Sequence, residues 1–226
     1  MATQLNLEEQ EQLDAVKSFW KQYGNLVTWT LILVLAAFAA WNGWNWYQRE
    51  QATKASAMYD ELERAAQVSD AEKVGRVFAD LRSRYPGTAF TQQAGLLAAK
   101  VQADAGRSDD ARASLAWVAE NAIEDEVKTV ARVRLAGIHL DAKRFDDALK
   151  ELDAAKTAGF EALVADRRGD VLLAQGKKSE AAAAYKTAWA GMADTVDYRR
   201  VVEAKLTSLG VAPGSAASGA ASGTSK

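Results

Sequence analysis

The sequence predicts an all-α protein: one apolar helix near the N-terminus, then a stack of helical hairpins. Three observations predict it. Alanine, the strongest helix former, supplies 47 of the 226 residues. The two prolines, Pro86 and Pro213, leave almost nothing to interrupt helices between Glu8 and Leu209. Small residues also recur at a spacing close to that of stacked helix pairs.

The same composition excludes much chemistry. There is no cysteine, so disulfide scaffolds, thiolate zinc sites, iron–sulfur clusters and cysteine nucleophiles are ruled out. A lone His139 makes histidine triads and multi-histidine metal centres very hard to build. With 28 basic against 30 acidic residues, the chain lacks the positive charge that draws proteins onto nucleic acid. No GxGxxG, Walker-type loop, GxSxG or HExxH occurs. The expectation is a protein that is not an enzyme, with no cofactor, metal, nucleic-acid partner or small-molecule substrate.

The apolar helix comes first in the chain. No charged residue falls between Lys21 and Arg49, and the 22 residues from Leu26 to Tyr47 are almost continuously apolar. As a helix they would cover roughly 33 Å, enough for a hydrocarbon core of about 30 Å. Trp20 and Tyr23 stand at one end, and Trp41, Trp44, Trp46 and Tyr47 at the other, where amphipathic rings favour the headgroup region. The apolar run ends in tryptophans rather than in a small-x-small cleavage site, which predicts an uncleaved anchor embedded in membrane lipid. Lys17 and Lys21 on one flank nearly balance Arg49 and Lys54 on the other, so charge alone does not orient it. Upstream, Leu13, Val16 and Trp20 share one face of a short helix expected from about Glu8.

The hairpins follow. Ala98-Ala99, Gln102, Gly106, Ala111, Leu115 and Val118 recur as Leu135-Ala136, His139, Lys143, Ala148, Leu152 and Ala155, and again as Arg168-Gly169, Leu172, Gly176, Ala181, Tyr185 and Ala188. The offsets are 37 and then 33 residues. They bracket the 34-residue tetratricopeptide unit, in which two antiparallel helices close up at short side chains and a large residue four positions on fills the groove. A weaker unit precedes these, with a first helix at about Thr53 to Gln67, then Val74, Phe78, Leu81 and a closing Pro86. A last helix from Thr195 to Leu209 has no partner and caps a stack of about 3–4 helix pairs. The expected organisation is a tail over residues 1–24, a span over 25–47, repeats over 48–209, and a Ser/Gly/Ala-rich tail over 210–226 that is too poor in apolar bulk to pack.

Within the repeats, Asp109-Asp110 and Asp146-Asp147 fall at helix starts, where they complement the macrodipole and cap free N–H groups. His139 reads as a half-buried packing residue. Asp166, Arg167, Arg168 and Asp170 form a dense cluster, expected to bridge stacked helices and also able to hold a peptide terminus. From the register, Gln102 and Arg134, as exposed first-helix positions, join Arg167 and Arg168 as candidate protein-binding residues.

The tail from Glu8 to Gly24, the single span, and the stretch Gly159-Phe-Glu-Ala-Leu-Val-Ala-Asp-Arg-Arg-Gly-Asp-Val-Leu-Leu-Ala-Gln-Gly176 together resemble the YfgM family, ancillary subunits of the bacterial Sec translocon. The part from Val164 to Gly176 is the most specific. The resemblance implies a single-pass protein of the bacterial inner membrane with a cytoplasmic N-terminus and periplasmic repeats. Its implied partners are the SecYEG translocon and the periplasmic chaperone PpiD, and its implied role is passing secreted polypeptides to periplasmic chaperones. The residues also admit an anchored scaffold for another envelope process, such as cytochrome maturation.

Overall fold

The computed structural model describes residues 7–212. The glycine- and serine-rich tail with Pro213 lies outside them, as do the first six residues. The described residues are helical throughout, in the order α1 (Leu7–Gln67), α2 (Ala71–Arg84), α3 (Ala89–Asp104), α4 (Ser108–Asn121), α5 (Asp125–Asp141), α6 (Phe145–Ala154), α7 (Glu161–Ala174), α8 (Lys178–Gly191) and α9 (Tyr198–Ser208). The chain forms two compact units, residues 1–53 and residues 54–226.

The first unit lies within α1. The short N-terminal helix, the apolar run and the first helix of the repeats, expected as separate pieces, are one helix of 61 residues. The reason is local: no proline falls between Leu7 and Gln67, and Gly24 and Gly43 are the only glycines. Side-chain polar groups in the apolar run bond to their own helix, Thr28 Oγ1 to the Gly24 carbonyl and Thr30 Oγ1 to the Leu26 carbonyl, both at 2.8 Å. Asn42 Nδ2 donates to the Phe38 carbonyl at 3.0 Å. Such back-bonding satisfies polar atoms where water is excluded. Leu33, Phe38 and Trp41 are exposed. This helix is long and apolar enough to cross a membrane.

In the second unit the last turns of α1 pair with α2, then α3 with α4, α5 with α6, and α7 with α8, while α9 packs on α8. Three apolar cores follow one another along the stack. Leu62, Val74, Phe78, Leu81, Leu115 and Val118 belong to the first, Ala136, Ala148, Leu152 and Val171 to the second, and Ala181, Tyr185, Val202 and Leu206 to the third. Each fully buried leucine contributes on the order of 1.5–3 kcal/mol through burial. The α9 cap spans Tyr198–Ser208, three residues shorter at its start than the sequence predicts.

All four hairpins turn the same way. Ser69, Gly106, Lys143 and Gly176 take the left-handed conformation, with φ of 55°, 75°, 56° and 80°. The next residue donates its N–H back to the sixth-last carbonyl: Asp70 to Ala65 at 3.0 Å, Arg107 to Gln102 at 2.8 Å, Arg144 to His139 at 2.8 Å and Lys177 to Leu172 at 2.9 Å. This is the Schellman closure. The next helix then starts so soon that Arg107, Arg144 and Lys177 occupy the N-cap positions without a side-chain cap bond. The capping expected of Asp109, Asp110, Asp146 and Asp147 is therefore corrected: they sit at the second and third helical positions, in the first turns, where only their charge favours the helix.

Close approach requires glycine in two places. A Cβ on Gly95 would stand 2.4 Å from Val118 Cγ2 and 2.9 Å from Phe78 Cζ, and one on Gly169 would stand 2.4 Å from Tyr185 Cε1. Gly95→Ala is expected to destabilise the protein by about 1–3 kcal/mol through overpacking. Lys143→Gly, which relieves a left-handed non-glycine residue, is expected to stabilise it by up to about 1 kcal/mol. Chemical denaturation of both variants checks the two signs together.

Candidate functional site

The first helices of successive repeats bring Arg134 and Arg167 to one groove. Its volume is about 420 Å³, and Lys100 and Ala103 of α3, Gly137 and Asp141 of α5, and Arg167 of α7 are among its lining. A Cβ at Gly137 would make only ordinary contact with Arg167, 3.9 Å from its Cζ, so this position tolerates a side chain. Arg134 is exposed, and its Nη1 reaches the Leu96 carbonyl at 3.5 Å, the limit of a hydrogen bond. Arg167 Nη1 donates to Asp170 Oδ2 at 3.2 Å, while its Nε is buried with no partner. Lys100 is occupied by Asp104 at 3.1 Å. Two guanidinium groups from neighbouring repeats thus line one cavity, and the exposed Arg134 presents N–H donors suited to backbone carbonyls or a carboxylate of a bound polypeptide.

The four residues singled out from the sequence do not form one site. Arg134 and Arg167 meet in the groove. Arg168 instead donates to Asp153 Oδ1 at 2.6 Å, tying α7 to α6. Gln102, expected to be exposed, is 4 % exposed and accepts a hydrogen bond from Ser114 Oγ at 2.7 Å. It lies three residues after Ala99, on the side of α3 that packs against α4, because residues three apart share a helix face.

The acidic half of the cluster ties helices together, as the sequence predicts. Asp166, 1 % exposed, receives Lys205 Nζ of α9 at 2.8 and 3.0 Å and the Tyr198 hydroxyl at 2.8 Å. Asp170 Oδ1 receives the same Lys205 Nζ at 2.7 Å and the Tyr185 hydroxyl at 2.8 Å. Burial alone would lower the Lys205 pKa, but the hydrogen bonds and charges of the two aspartates outweigh it and raise it. Both tyrosines are pushed up, first by burial and then by their aspartate partners. Tyr185, Tyr198 and Lys205 were not foreseen. The available signal was two carboxylates one turn apart on a helix with apolar neighbours, a pattern that demands a cation from another element. Lys205→Met, which leaves Asp166 buried without its cation, should cost about 3–5 kcal/mol in urea unfolding.

His139 occupies in α5 the position that Gln102 holds in α3. It is buried, and its Nδ1 has no partner. Its pKa is lowered by burial first and then by Arg144 and Arg112, against the pull of Asp147 and Glu151. The unfolded chain therefore binds a proton more readily than the folded one. The stability at stake is complete above the ordinary histidine value of 6.5 and falls as pH drops from there through the folded value. The melting temperature should decline on acidification below about pH 6.5, and less steeply in His139→Gln.

A stack of hairpins with an open groove, joined to an apolar N-terminal helix, defines the helical-repeat class of protein-interaction scaffold. Residues 17–211 match the family described as tetratricopeptide repeat-like domain. The chain is 32 % identical over 208 residues, 90 % of it and 98 % of the relative, to the ancillary SecYEG translocon subunit of Neisseria gonorrhoeae. It is 31 % identical over 178 residues to that of Escherichia coli K12, covering 79 % of this chain and 85 % of the relative. To that of Haemophilus influenzae it is 26 % identical over 185 residues, covering 81 % and 89 %. No solved structure matches the chain significantly. The chain belongs to the tetratricopeptide repeat-like family and, within it, to the ancillary SecYEG translocon subunits, the YfgM family expected from its sequence. With such relatives, its apolar N-terminal helix fits an inner-membrane protein.

Proposed function

We propose that this protein is a non-enzymatic scaffold of the Sec translocon that receives segments of secreted polypeptides and passes them to periplasmic chaperones. The span associates with the SecYEG channel within the lipid, the N-terminus is cytoplasmic, and the repeats work in the periplasm beside the chaperone PpiD. The domain limits in this reading are residues 1–24, 25–47, 48–209 and 210–226. The observation that carries it is the groove lined by Arg134 and Arg167, where the exposed Arg134 guanidinium presents donors that match the carbonyl-rich backbone of an unfolded chain. Two further supports are the printed names of the relatives and the apolar helix in the same chain. Tethering raises local concentration, so weak contacts in the groove suffice for transfer.

Photocrosslinking in cells, with probes replacing Gly137 in the groove and Leu33 in the span, tests this reading. Adducts from Gly137 to a translocating polypeptide or to the chaperone, and from Leu33 to channel subunits, are the expected result. Adducts from both positions to a cytochrome-maturation or other envelope complex, with none to the channel, would replace the client while keeping the fold. A cysteine placed at position 204 should react with a membrane-impermeant maleimide from the periplasmic side, and reaction only from the cytoplasm would reverse the orientation.

A further inference from the structure

We propose that the cleft between α2 and α4 is a second binding site, which takes a carboxylate of a polypeptide and is held open by Gly75. The cleft measures about 300 Å³ and shares no lining residue with the Arg134 groove. This site stands independently of the translocon reading.

Gly75 lies in the middle of α2 with ordinary helical backbone, so no turn demands a glycine there. It weakens the helix by about 1 kcal/mol relative to alanine. Nor is it needed for helices to touch. A Cβ at this position would meet a single atom within 4 Å, Gln102 Nε2, at 3.3 Å. Because Gln102 Oε1 is already engaged by Ser114, the absent side chain leaves the donor half of a buried amide fronting the cleft. In the next repeat, 37 residues on, the position of Gly75 is filled by Arg112 and that of Gln102 by His139.

The rim supplies charge. Arg76 pairs with Glu72, and Arg107 pairs with Asp110 at 2.6 Å. Arg82 lies over the Phe78 ring at 5.8 Å, and among the described residues no carboxylate neutralises it. With Glu72 and Asp110 each paired to an arginine, the Gln102 amide and the Arg82 guanidinium are the lining donors left without a side-chain acceptor, and one of them is cationic. An acceptor-only anion suits such donors, and the Phe78 ring with the Ala79 and Ala113 methyl groups offers an apolar wall for the methylenes that carry it. A carboxylate has this chemistry, borne either by an internal acidic side chain or by a free C-terminus.

Fluorescence anisotropy on the full-length protein in nanodiscs tests it, using three ten-residue Gly/Ser/Ala peptides that carry an uncharged BODIPY label at the N-terminus. One carries a central Glu and an amidated C-terminus, one a central Gln and an amidated C-terminus, and one a central Gln and a free C-terminus. At least one carboxylate peptide should bind about tenfold more tightly than the neutral peptide, and which one does so identifies the source. Gly75→Ala and Arg82→Gln should each abolish most of that preference, Gly75→Ala without lowering the melting temperature, while Arg200→Gln, which removes an exposed cation of α9 outside both grooves, leaves it unchanged. Equal binding of all three peptides, no binding of any at millimolar concentration, wild-type preference in Gly75→Ala, or an equal loss of preference in Arg200→Gln would each overturn the proposal.

Discussion

The repeat domain depends on how closely the two helices of each hairpin approach. At the positions of Ala99, Ala136 and Gly169 the side chain is at most a methyl group, and opposite stand Leu115, Leu152 and Tyr185, all buried. The third hairpin shows why the pair must be considered together: the bulkier tyrosine ring coincides with the smaller residue, and a Cβ on Gly169 would collide with it. Packing at native density leaves no slack for either partner to change alone. The left-handed turn residues and their backward hydrogen bonds then fix where the second helix begins, so geometry repeats from hairpin to hairpin.

From that approach follow the cores and the polar ties. Because each hairpin buries one face against the next, apolar residues collect into three consecutive clusters rather than one centre, as a stack with nearest-neighbour contacts requires. Among the described residues α9 closes the last hairpin, with Val202 and Leu206 in the core and Lys205 bridging Asp166 and Asp170. Three charges and two tyrosine hydroxyls satisfy one another there. The opposite outcome holds in the Arg134 groove, where stacking aligns the first helices and leaves the Arg134 guanidinium exposed.

Much of this is legible in the sequence, because it rests on period and residue size. The hairpin register, the apolar run, the capping helix and the bridging role of Asp166 and Asp170 all follow from spacing. What is not legible depends on contacts between distant residues. Gln102 occupies a first-helix position that reads as exposed, and only the placement of Ser114 on α4 shows it turned inward. Arg167 and Arg168 are neighbours in sequence and point to different partners, the groove and Asp153, because successive helical residues lie about 100° apart. The unbroken α1 was hidden for another reason: a change from apolar to amphipathic patterning resembles a boundary even where no residue breaks the helix.

A double-mutant cycle on Gly169 and Tyr185, followed by equilibrium unfolding, tests most directly that hairpin closure is set by this pair. If it is, Gly169→Ala is strongly destabilising beside Tyr185 and far less so beside Tyr185→Leu, which recreates the Ala136/Leu152 pairing, with a coupling energy of about 1–3 kcal/mol. Additive effects, within about 0.5 kcal/mol, would contradict the account and place the determinant of the fold elsewhere in the stack.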